Sequence, residues 1–417
     1  MQAPSISVPQ ALEFAEALRR SGQLEAAETL YRRITTSVPT CFDAWNNLGN
    51  ALSEKREFEA SIECFQRAIA LSPNFGSAHN NLGLTLQEAG RISEAATCFW
   101  RAVEIDPDNA EWHVNLSLPL FLTGRHEEGW NHYEWRLRNP QGAAGFEQLR
   151  APQWRGDRMP GETLLILTEQ GLGDTLQFIR YLPLIQSMSE ARLVFAHRRN
   201  LRRLLANQLP ANVATVVPPV GLDITVNNLP PFDRYIPLLS CPPALRCFEP
   251  LTMAEPYLHP DPALVESWRI GSSHVFRVGL AWEGNSSHPR DRHRSIAFEK
   301  MLPLLERSDA EFYSLQIHSP IRHERLIDWT NRIADLADTA ALISQLDLVI
   351  TVDTAVAHLA GSMGKPVWTL LPFVPDWRWG LEREDTPWYP AMRLFRQKHA
   401  GDWPEVIQRV AGELRAW

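Results

Sequence analysis

The sequence predicts a multidomain protein in which an all-α helical solenoid is followed by two open α/β domains. Three observations predict this: a 34-residue period in the N-terminal third, a stretch rich in Gly, Pro and Arg after it, and alternating strand and helix patterns in the rest. The 417 residues are enough for several domains with cores of their own. A net charge of −8 argues against nucleic acid as the main partner, because phosphate backbones bind basic surfaces.

Composition also predicts where the chain resides. No apolar run approaches the roughly 18 residues that a membrane helix needs. The N-terminal decapeptide MQAPSISVPQ lacks the basic and then apolar pattern of a signal peptide. The five cysteines include no C-x-x-C pair, which argues against a disulfide framework or a zinc ribbon and fits a reducing compartment. We therefore expect a cytoplasmic protein without a transmembrane segment.

Residues 1–137 contain the periodic segment. Leucines, glycines, phenylalanines and prolines recur 34 residues apart, as in the series Pro39, Pro73 and Pro107. Each unit is predicted to form two amphipathic helices, with a proline ending the second helix. The period and residue classes resemble the tetratricopeptide repeat. An earlier copy is expected at 10–39, and a fourth copy at 111–137 departs from the pattern at Pro119 and Gly129, as terminal repeats commonly do.

Asparagine occupies one position of three successive first helices, at Asn47, Asn81 and Asn115. A side-chain amide offers both a donor and an acceptor, so a ladder of amides can bind a peptide backbone. We therefore consider these residues candidates for binding a protein or peptide acceptor. The structural alternative is that each amide only bonds a neighbouring helix. The same segment carries a net charge of −7, so a polypeptide partner is expected to be basic or polar.

After a linker at 138–161, buried strand patterns alternate with helical ones, which indicates parallel sheets. The first set of strands is expected at 164–168, 192–197, 213–218 and 223–228, and the second at 277–282, 311–316, 346–353 and 366–371. The proline-rich stretch 237–262 separates the two sets. We therefore predict two Rossmann-like domains, 162–257 and 258–417, with a ligand site in the cleft between them.

The first candidate site motif directly follows the first of these strands. Gly171 and Gly173 permit a tight turn and close approach of a ligand to backbone amides. Asp174 then opens a helix, where it acts either as a helix cap or as a general base. If Asp174 only caps the helix, Glu169 and His288 become the next candidates for a base.

The second motif follows the strand at 277–282. Arg290, Arg292 and Arg294 fall within five residues at the carboxyl end of that strand, where guanidinium groups can bind phosphate. The alternative is a solvated basic loop. The position after a strand favours phosphate binding.

The third motif begins at Val352, at the end of the strand pattern LDLVIT (346–351). The amides of a helix that begins after Asp353 are expected to face an anion, and Thr354 adds a hydroxyl. His358 lies one helical turn after Thr354, so it either faces the same ligand or fills the core.

Tryptophans are concentrated near the C-terminus. Four of the fifteen fall within 21 residues, at Trp368, Trp377, Trp379 and Trp388. Indole rings can stack on sugars, although tryptophan is also a common core residue.

Together these motifs resemble the bacterial tetratricopeptide-repeat glycosyltransferases, whose catalytic part is similar to the heptosyltransferases of glycosyltransferase family 9. The resemblance covers the repeats and residues 161–417, and its most specific segments are EQGLGDTLQFIRYLPLI, DRHRSI and DLVITVDTAVAHLAG. It implies a GT-B fold, inverting and metal-independent transfer, and a nucleotide-sugar donor. One departure is Ala355, where heptosyltransferases usually have glycine.

The resemblance also implies roles for individual residues. It makes Asp174 the acid/base residue, and it makes Asp353, Thr354 and His358 part of the donor phosphate loop, with Arg294 as a basic phosphate ligand. The only D-x-D sequence, Asp106-Pro-Asp108, lies at a repeat end, so no catalytic metal is expected.

The sequence therefore predicts a glycosyltransferase that transfers a sugar to a hydroxyl acceptor, on a protein recruited by the repeats. Two alternatives stay open. One is an enzyme acting on lipopolysaccharide or another glycan, and the other is a catalytically inactive repeat scaffold.

Overall fold

The structure, a computed structural model, describes residues 6–139, 146, 149–206, 208–210, 213–217, 229–271, 275–288, 290–317 and 321–417. The chain divides into two compact units, Met1–Gly142 and Ala143–Trp417. The finer domain limits expected at 137, 161 and 257 remain predictions.

The first unit is a row of helical hairpins, which confirms the predicted repeat solenoid. Its helices are α1 (Val8–Arg20), α2 (Leu24–Ser37), α3 (Phe42–Glu54), α4 (Phe58–Leu71), α5 (Gly76–Glu88), α6 (Ile92–Ile105), α7 (Ala110–Leu122) and α8 (His126–Tyr133). Each helix packs on the next along the chain. The copy expected at 10–39 forms α1 and α2, and α7 continues through Pro119.

Small residues set how closely the helices of a hairpin approach. A β-carbon on Gly49 would lie 2.7 Å from the ring of Phe65, and one on Gly83 would lie 2.8 Å from the ring of Phe99. In the last hairpin the small residue lies on the second helix and the aromatic residue on the first. A β-carbon on Gly129 of α8 would lie 2.6 Å from the ring of Phe121 of α7. The fourth copy thus departs from the sequence pattern but keeps a small residue against a large one.

Substitution of Gly83 by Ala tests this packing. We expect the free energy of unfolding of the helical unit to fall by up to about 2 kcal/mol, because overpacking costs roughly 1–3 kcal/mol and the higher helix propensity of Ala over Gly offsets only about 1 kcal/mol of it. Calorimetric unfolding measures the change. The control is Gly412→Ala in the C-terminal helix, where an added β-carbon meets nothing within 4 Å. Equal stability of the two variants would contradict the packing argument.

The first sheet of the second unit has four parallel strands in the order β3-β2-β1-β4. Its strands are β1 (Thr163–Leu167), β2 (Arg192–Ala196), β3 (Val213–Val216) and β4 (Arg234–Pro237). Leu165 of β1 pairs with Val194 on one side and Tyr235 on the other. The strand expected at 223–228 lies outside the described residues, and β4 was not predicted from the sequence.

The second sheet has six parallel strands in the order β10-β9-β8-β5-β6-β7. Its strands are β5 (Phe276–Ala281), β6 (Ala310–Ser314), β7 (Leu326–Ile327), β8 (Leu348–Val352), β9 (Val367–Leu371) and β10 (Met392–Arg396). All residues of β8 and β9 are buried, as the continuous apolar patterns predict for strands covered on both faces. The parallel-sheet α/β prediction is thereby confirmed, whereas β7 and β10 were missed.

Helices and turns connect the strands of both sheets. The helices are α9 (Leu172–Phe178), α10 (Leu182–Ser189), α11 (Arg202–Leu205), α12 (Cys241–Leu245), α13 (Pro262–Ser267), α14 (Asp291–Arg294), α15 (Phe298–Met301), α16 (Leu336–Ser344), α17 (Ala355–Ser362) and α18 (Trp403–Ala416). Because β5, β8 and β9 are adjacent and parallel, the loops that follow them leave the same edge of the sheet. No helix in the described part of the chain is long and apolar enough to cross a membrane.

A buried arginine, Arg180, connects the two sheets. Its guanidinium donates to the carbonyls of Leu251 at 2.9 Å and Trp388 at 2.8 Å, and to the hydroxyl of Tyr257 at 2.8 Å. That hydroxyl in turn donates to the carbonyl of Leu176 at 3.0 Å. Arg180 therefore joins the turn after α9 to the segment between the sheets and to the loop before β10.

We expect Arg180→Met to lower the free energy of unfolding by about 3 kcal/mol or more, because each buried acceptor left without a donor costs roughly 1–3 kcal/mol. Urea unfolding followed by tryptophan fluorescence provides the measurement. The control is Arg269→Met, since the Arg269 side chain is 72% exposed and surface changes stay within about 0.5 kcal/mol. Equal stability of Arg180→Met and wild type would show that this bonding is dispensable.

Candidate functional site

The turn between β1 and α9 sets the position of Asp174. Gln170 has a positive φ of 59°, and Gly171 is the N-cap of α9. Asp174 is the third residue of the helix, and its Oδ2 accepts a hydrogen bond of 2.7 Å from the Gly171 amide. This is one half of a capping box. The Gly171 amide hydrogen is therefore engaged by Asp174 in this structure.

The other oxygen of Asp174 is bonded by a residue that follows β9. Oδ1 accepts from Nη2 of Arg378, whose side chain is 8% exposed. Nη1 of Arg378 donates to Asp376 at 2.9 Å, and Nε donates to the side-chain carbonyl of Gln177. Asp174 is thus capped locally and also paired with a cation from the second sheet's side, which the sequence did not indicate.

Helix α9 packs directly on α17. A β-carbon on Gly173 would lie 2.7 Å from Cδ2 of His358, which leaves room only for glycine at this contact. The glycine motif after β1 and the histidine motif after β8 therefore meet, although 185 residues separate Gly173 from His358 in the sequence.

His358 is buried and neutral. Burial and the nearby positive charge of Arg378 lower the pKa of its imidazole to about 3. Nδ1 lies 2.9 Å from the hydroxyl of Tyr389, the ring stacks on Trp379 at 5.4 Å, and Nε2 lies 4.0 Å from Oδ1 of Asp353. His358 fills the core beside the loop after β8, and its contact with a ligand stays a prediction.

The loop after β8 leads into α17. Thr354 is the N-cap of α17, and its Oγ1 accepts from the amide of Val356 at 3.3 Å. Burial and the negative charge of Asp376 raise the pKa of Asp353. At Asp376 burial also opposes ionisation, but the positive charge of Arg378 and its hydrogen bonds outweigh it and lower the pKa of that carboxyl. The two carboxyls therefore differ in how readily they ionise.

The three arginines after β5 take different positions. Arg294 donates to the backbone carbonyl of Asp353 at 2.9 Å and to Asp291 at 3.1 Å. Arg290 donates to the carbonyl of Val374, the third residue after β9, at 3.1 Å. Arg292 is exposed. The structure thus brings Arg290 and Arg294 to the loops after β9 and β8, but leaves Arg292 at the surface.

The candidate tryptophans and the alternative bases, Glu169 and His288, differ in how far they are buried. Trp368, Trp379 and Trp388 are at most 4% exposed, which leaves Trp377 as the partly exposed member of the four. Glu169 is 7% exposed and accepts from the amide of Leu239 at 3.0 Å. His288 is exposed and accepts from the amide of Arg290 at 3.2 Å.

The three asparagines predicted to bind an acceptor lie in the first unit, on α3, α5 and α7. Asn81 donates to Asn46 at 3.1 Å, and Asn115 donates to Asn80 at 3.0 Å, so each amide bonds the preceding first helix. Asn47 accepts from Asn46 at 3.1 Å. These bonds match the structural alternative, and the binding of an acceptor by these residues stays a prediction. The buried Asn46 and Asn80 are part of the ladder and were not predicted.

Arg378, Asp376 and Gln177 were not predicted from the sequence as site residues. The sequence contains two signals for these residues. Gln177 follows Asp174 by three residues and so lies on the same face of α9. Arg378 lies between Trp377 and Trp379, two of the candidate stacking tryptophans. Among the described residues no group of three or more His, Cys, Asp or Glu side chains is arranged to hold a metal ion.

Comparison with known proteins identifies two families within the chain. The tetratricopeptide repeat matches residues 42–75 and 76–109, which correspond to the hairpins α3–α4 and α5–α6. Glycosyltransferase family 9 (heptosyltransferase) matches residues 333–400, a segment that includes α16, β8, α17 and β9 together with Arg378.

Individual relatives match either most of the chain or its repeats. Protein FlbA of Caulobacter vibrioides is 29% identical over 312 residues, which cover 69% of this chain and 52% of FlbA. The chain thus spans about half the length of that relative. Two crystal structures of MamA are 22% and 23% identical with a TM-score of 0.31 each; they cover 33% and 35% of this chain, and 81% and 80% of their own.

The motifs and the family matches agree. The segment at 42–109 therefore matches the tetratricopeptide repeat, and the segment at 333–400 matches glycosyltransferase family 9 (heptosyltransferase).

Proposed function

We propose that this protein transfers a sugar from a nucleotide-sugar donor to a hydroxyl group, with inversion and without a metal, in the cleft of a GT-B fold made of two Rossmann-like halves. The family 9 domain supports glycosyl transfer, and the two all-parallel sheets are compatible with that fold. The acceptor we propose is a protein bound by the repeats.

The observation that carries this proposal is the contact between Gly173 and His358. It places the helix start that carries Asp174 against α17, and Arg294 bonds the carbonyl of Asp353 in the loop that leads into α17. A group that removes a proton and groups that bind an anion are both needed for sugar transfer from a diphosphate. Each half of the cleft supplies one of these groups.

The donor side of the site consists of the first turn of α17 and the loop after β5. Thr354 and the first residues of α17 follow the carboxyl end of β8 and are only partly buried, and the helix dipole favours a diphosphate at such a helix start. Arg294 adds positive charge at the loop after β8, and Arg290 adds positive charge at the loop after β9. As the leaving diphosphate gains charge, these groups stabilise it without having to reorganise.

The acceptor side contains Asp174. In the proposed step the Asp174 carboxylate takes the proton of the acceptor hydroxyl while that oxygen attacks the anomeric carbon. The bond between this carbon and the phosphate oxygen breaks, and the nucleoside diphosphate leaves with the electron pair. Attack from the side opposite the leaving group inverts the configuration.

The exchange Asp174→Asn separates capping from proton transfer. Asn still accepts the Gly171 amide, so the helix should form normally, but it cannot take a proton at neutral pH. We expect turnover to fall about a hundredfold or more. The measurement is release of nucleoside diphosphate from UDP-N-acetylglucosamine, GDP-mannose, dTDP-rhamnose or ADP-heptose, whichever raises the unfolding temperature most.

The control for this experiment is Asp385→Asn, an exposed carboxylate of the same unit that pairs with Arg383. It should keep wild-type turnover. Full activity of Asp174→Asn would remove Asp174 from the chemistry and leave the buried Glu169 or the exposed His288 to be tested as the base.

Arg294→Ala and Arg292→Ala test the donor side as a matched pair. Arg294 touches the loop after β8 and Arg292 is exposed, although both come from one short helix. Loss of a charge-assisted phosphate contact costs roughly 1.5–3 kcal/mol, so Arg294→Ala should weaken binding of UDP, GDP, dTDP or ADP about ten- to hundredfold. Arg292→Ala should change it less than about threefold. Calorimetric titration gives both values, and equal effects would contradict the assignment.

A further inference from the structure

The carboxylate of Asp174 is bonded from two directions. Its Oδ2 accepts from the Gly171 amide within its own turn. Its Oδ1 accepts from Arg378, which lies more than 200 residues further along the chain. The local bond fixes only Oδ2 and leaves Oδ1 without a partner from its own turn. The second bond holds Oδ1, so Arg378 determines where Asp174 points.

Arg378 is itself held in place. Nη1 donates to Asp376 at 2.9 Å, and the backbone amide of Arg378 donates to the same carboxylate oxygen at 3.1 Å. The guanidinium lies 4.6 Å from the centre of the Trp377 ring and 5.9 Å from that of Phe178. Because only 8% of this side chain is exposed, it acts as a fixed support.

One edge of the guanidinium spans two residues of α9. Nε donates to Gln177 and Nη2 to Asp174, which lie on one face of the helix. The other terminal nitrogen, Nη1, donates to Asp376. Arginine presents its donors in a rigid planar fork, whereas a lysine ammonium is a single point of charge and cannot hold both residues in this way.

The charge of Arg378 is also accounted for. Two carboxylates, Asp174 and Asp376, bond this cation directly. By contrast, Arg294 bonds a single carboxylate, that of Asp291, and a backbone carbonyl. An arginine compensated by two carboxylates is poorly suited to attract a diphosphate, which separates the role of Arg378 from that of Arg294.

We propose that Arg378 is a positioning residue: its fork docks α9 against the loop after β9 and holds the Asp174 carboxylate in its place for proton transfer. This inference rests on the proposed function, in which Asp174 is the base. It predicts that turnover depends on the shape of the guanidinium and that binding of the donor does not depend on it.

The test compares Arg378→Gln and Arg378→Lys with Asp174→Asn and with the double variant Arg378→Gln/Asp174→Asn. We expect Arg378→Gln to lower kcat about ten- to hundredfold, the scale of a misplaced catalytic group. The dissociation constants for UDP, GDP, dTDP and ADP should stay within about twofold. Lysine should restore less than half of the lost turnover, since its donors diverge from a single nitrogen and cannot reproduce the planar, spaced contacts of the guanidinium with Asp174, Gln177 and Asp376.

The control variant is Arg383→Gln, which removes an arginine of the same loop whose side chain is 56% exposed and pairs with Asp385. It should keep wild-type kcat. The double variant should be no slower than Asp174→Asn, because a positioning residue has no effect once the group it positions is gone.

The outcomes separate this inference from the proposed function. Wild-type kcat in Arg378→Gln, together with an inactive Asp174→Asn, overturns the inference and leaves the proposed base in place. Nucleotide binding that weakens as much as turnover also overturns it, because Arg378 would then be a donor ligand. Full activity of Asp174→Asn overturns the base and the inference together.

A readout that needs no substrate completes the test. The unfolding temperatures of wild type, the two single variants and the double variant form a thermodynamic cycle. Contacting residues show coupled effects, so the losses from Arg378→Gln and Asp174→Asn should not add in the double variant. Strictly additive losses overturn the inference even if none of the four nucleotide sugars is turned over.

Discussion

The bonding of Arg180 is the constraint on which the arrangement of the second unit depends. A buried guanidinium satisfies backbone carbonyls from the segment between the sheets and from the loop before β10, and it donates to the Tyr257 hydroxyl. A buried charge is tolerated only where its donors are satisfied. These segments cannot separate without exposing Arg180 or leaving its acceptors unpaired, so α9 stays packed against α17.

The candidate site follows from this packing. Parallel strands of both sheets end in the loops that carry these residues, and the glycine at position 173 allows the start of α9 to approach the imidazole of His358. Two arginines of the site bond groups from other elements. Arg378 pairs with the Asp174 carboxylate, and Arg294 donates to the backbone carbonyl of Asp353. Such pairing holds the groups in place before a substrate arrives, which is the condition for electrostatic stabilisation of a transition state.

In the repeat unit the same packing contact is kept even where the sequence pattern changes. The hairpins keep one small residue against one aromatic ring, but the last hairpin reverses which helix carries each. Side-chain amides of Asn81 and Asn115 bond the preceding first helix. These bonds tie successive repeats together, so any role in binding an acceptor has to be compatible with a structural one.

The sequence by itself determined the features that depend on residues close together in the chain. The 34-residue period predicted the helical hairpins, buried apolar runs predicted most strands, and the turn after β1 and the start of α17 were both found from local motifs. Weak or short strands such as β4, β7 and β10 were missed, because their pairing with a neighbouring strand, more than their own composition, makes them strands. Tertiary structure alone decided which polar groups meet. Spacing alone does not distinguish Arg292 from Arg294, yet of the two it is Arg294 that bonds the Asp353 carbonyl. The contact of Arg378 with Asp174 joins residues more than 200 positions apart. The first contact forms when β5 and β8 pair within one sheet and the second when the two sheets pack, and no local pattern encodes either.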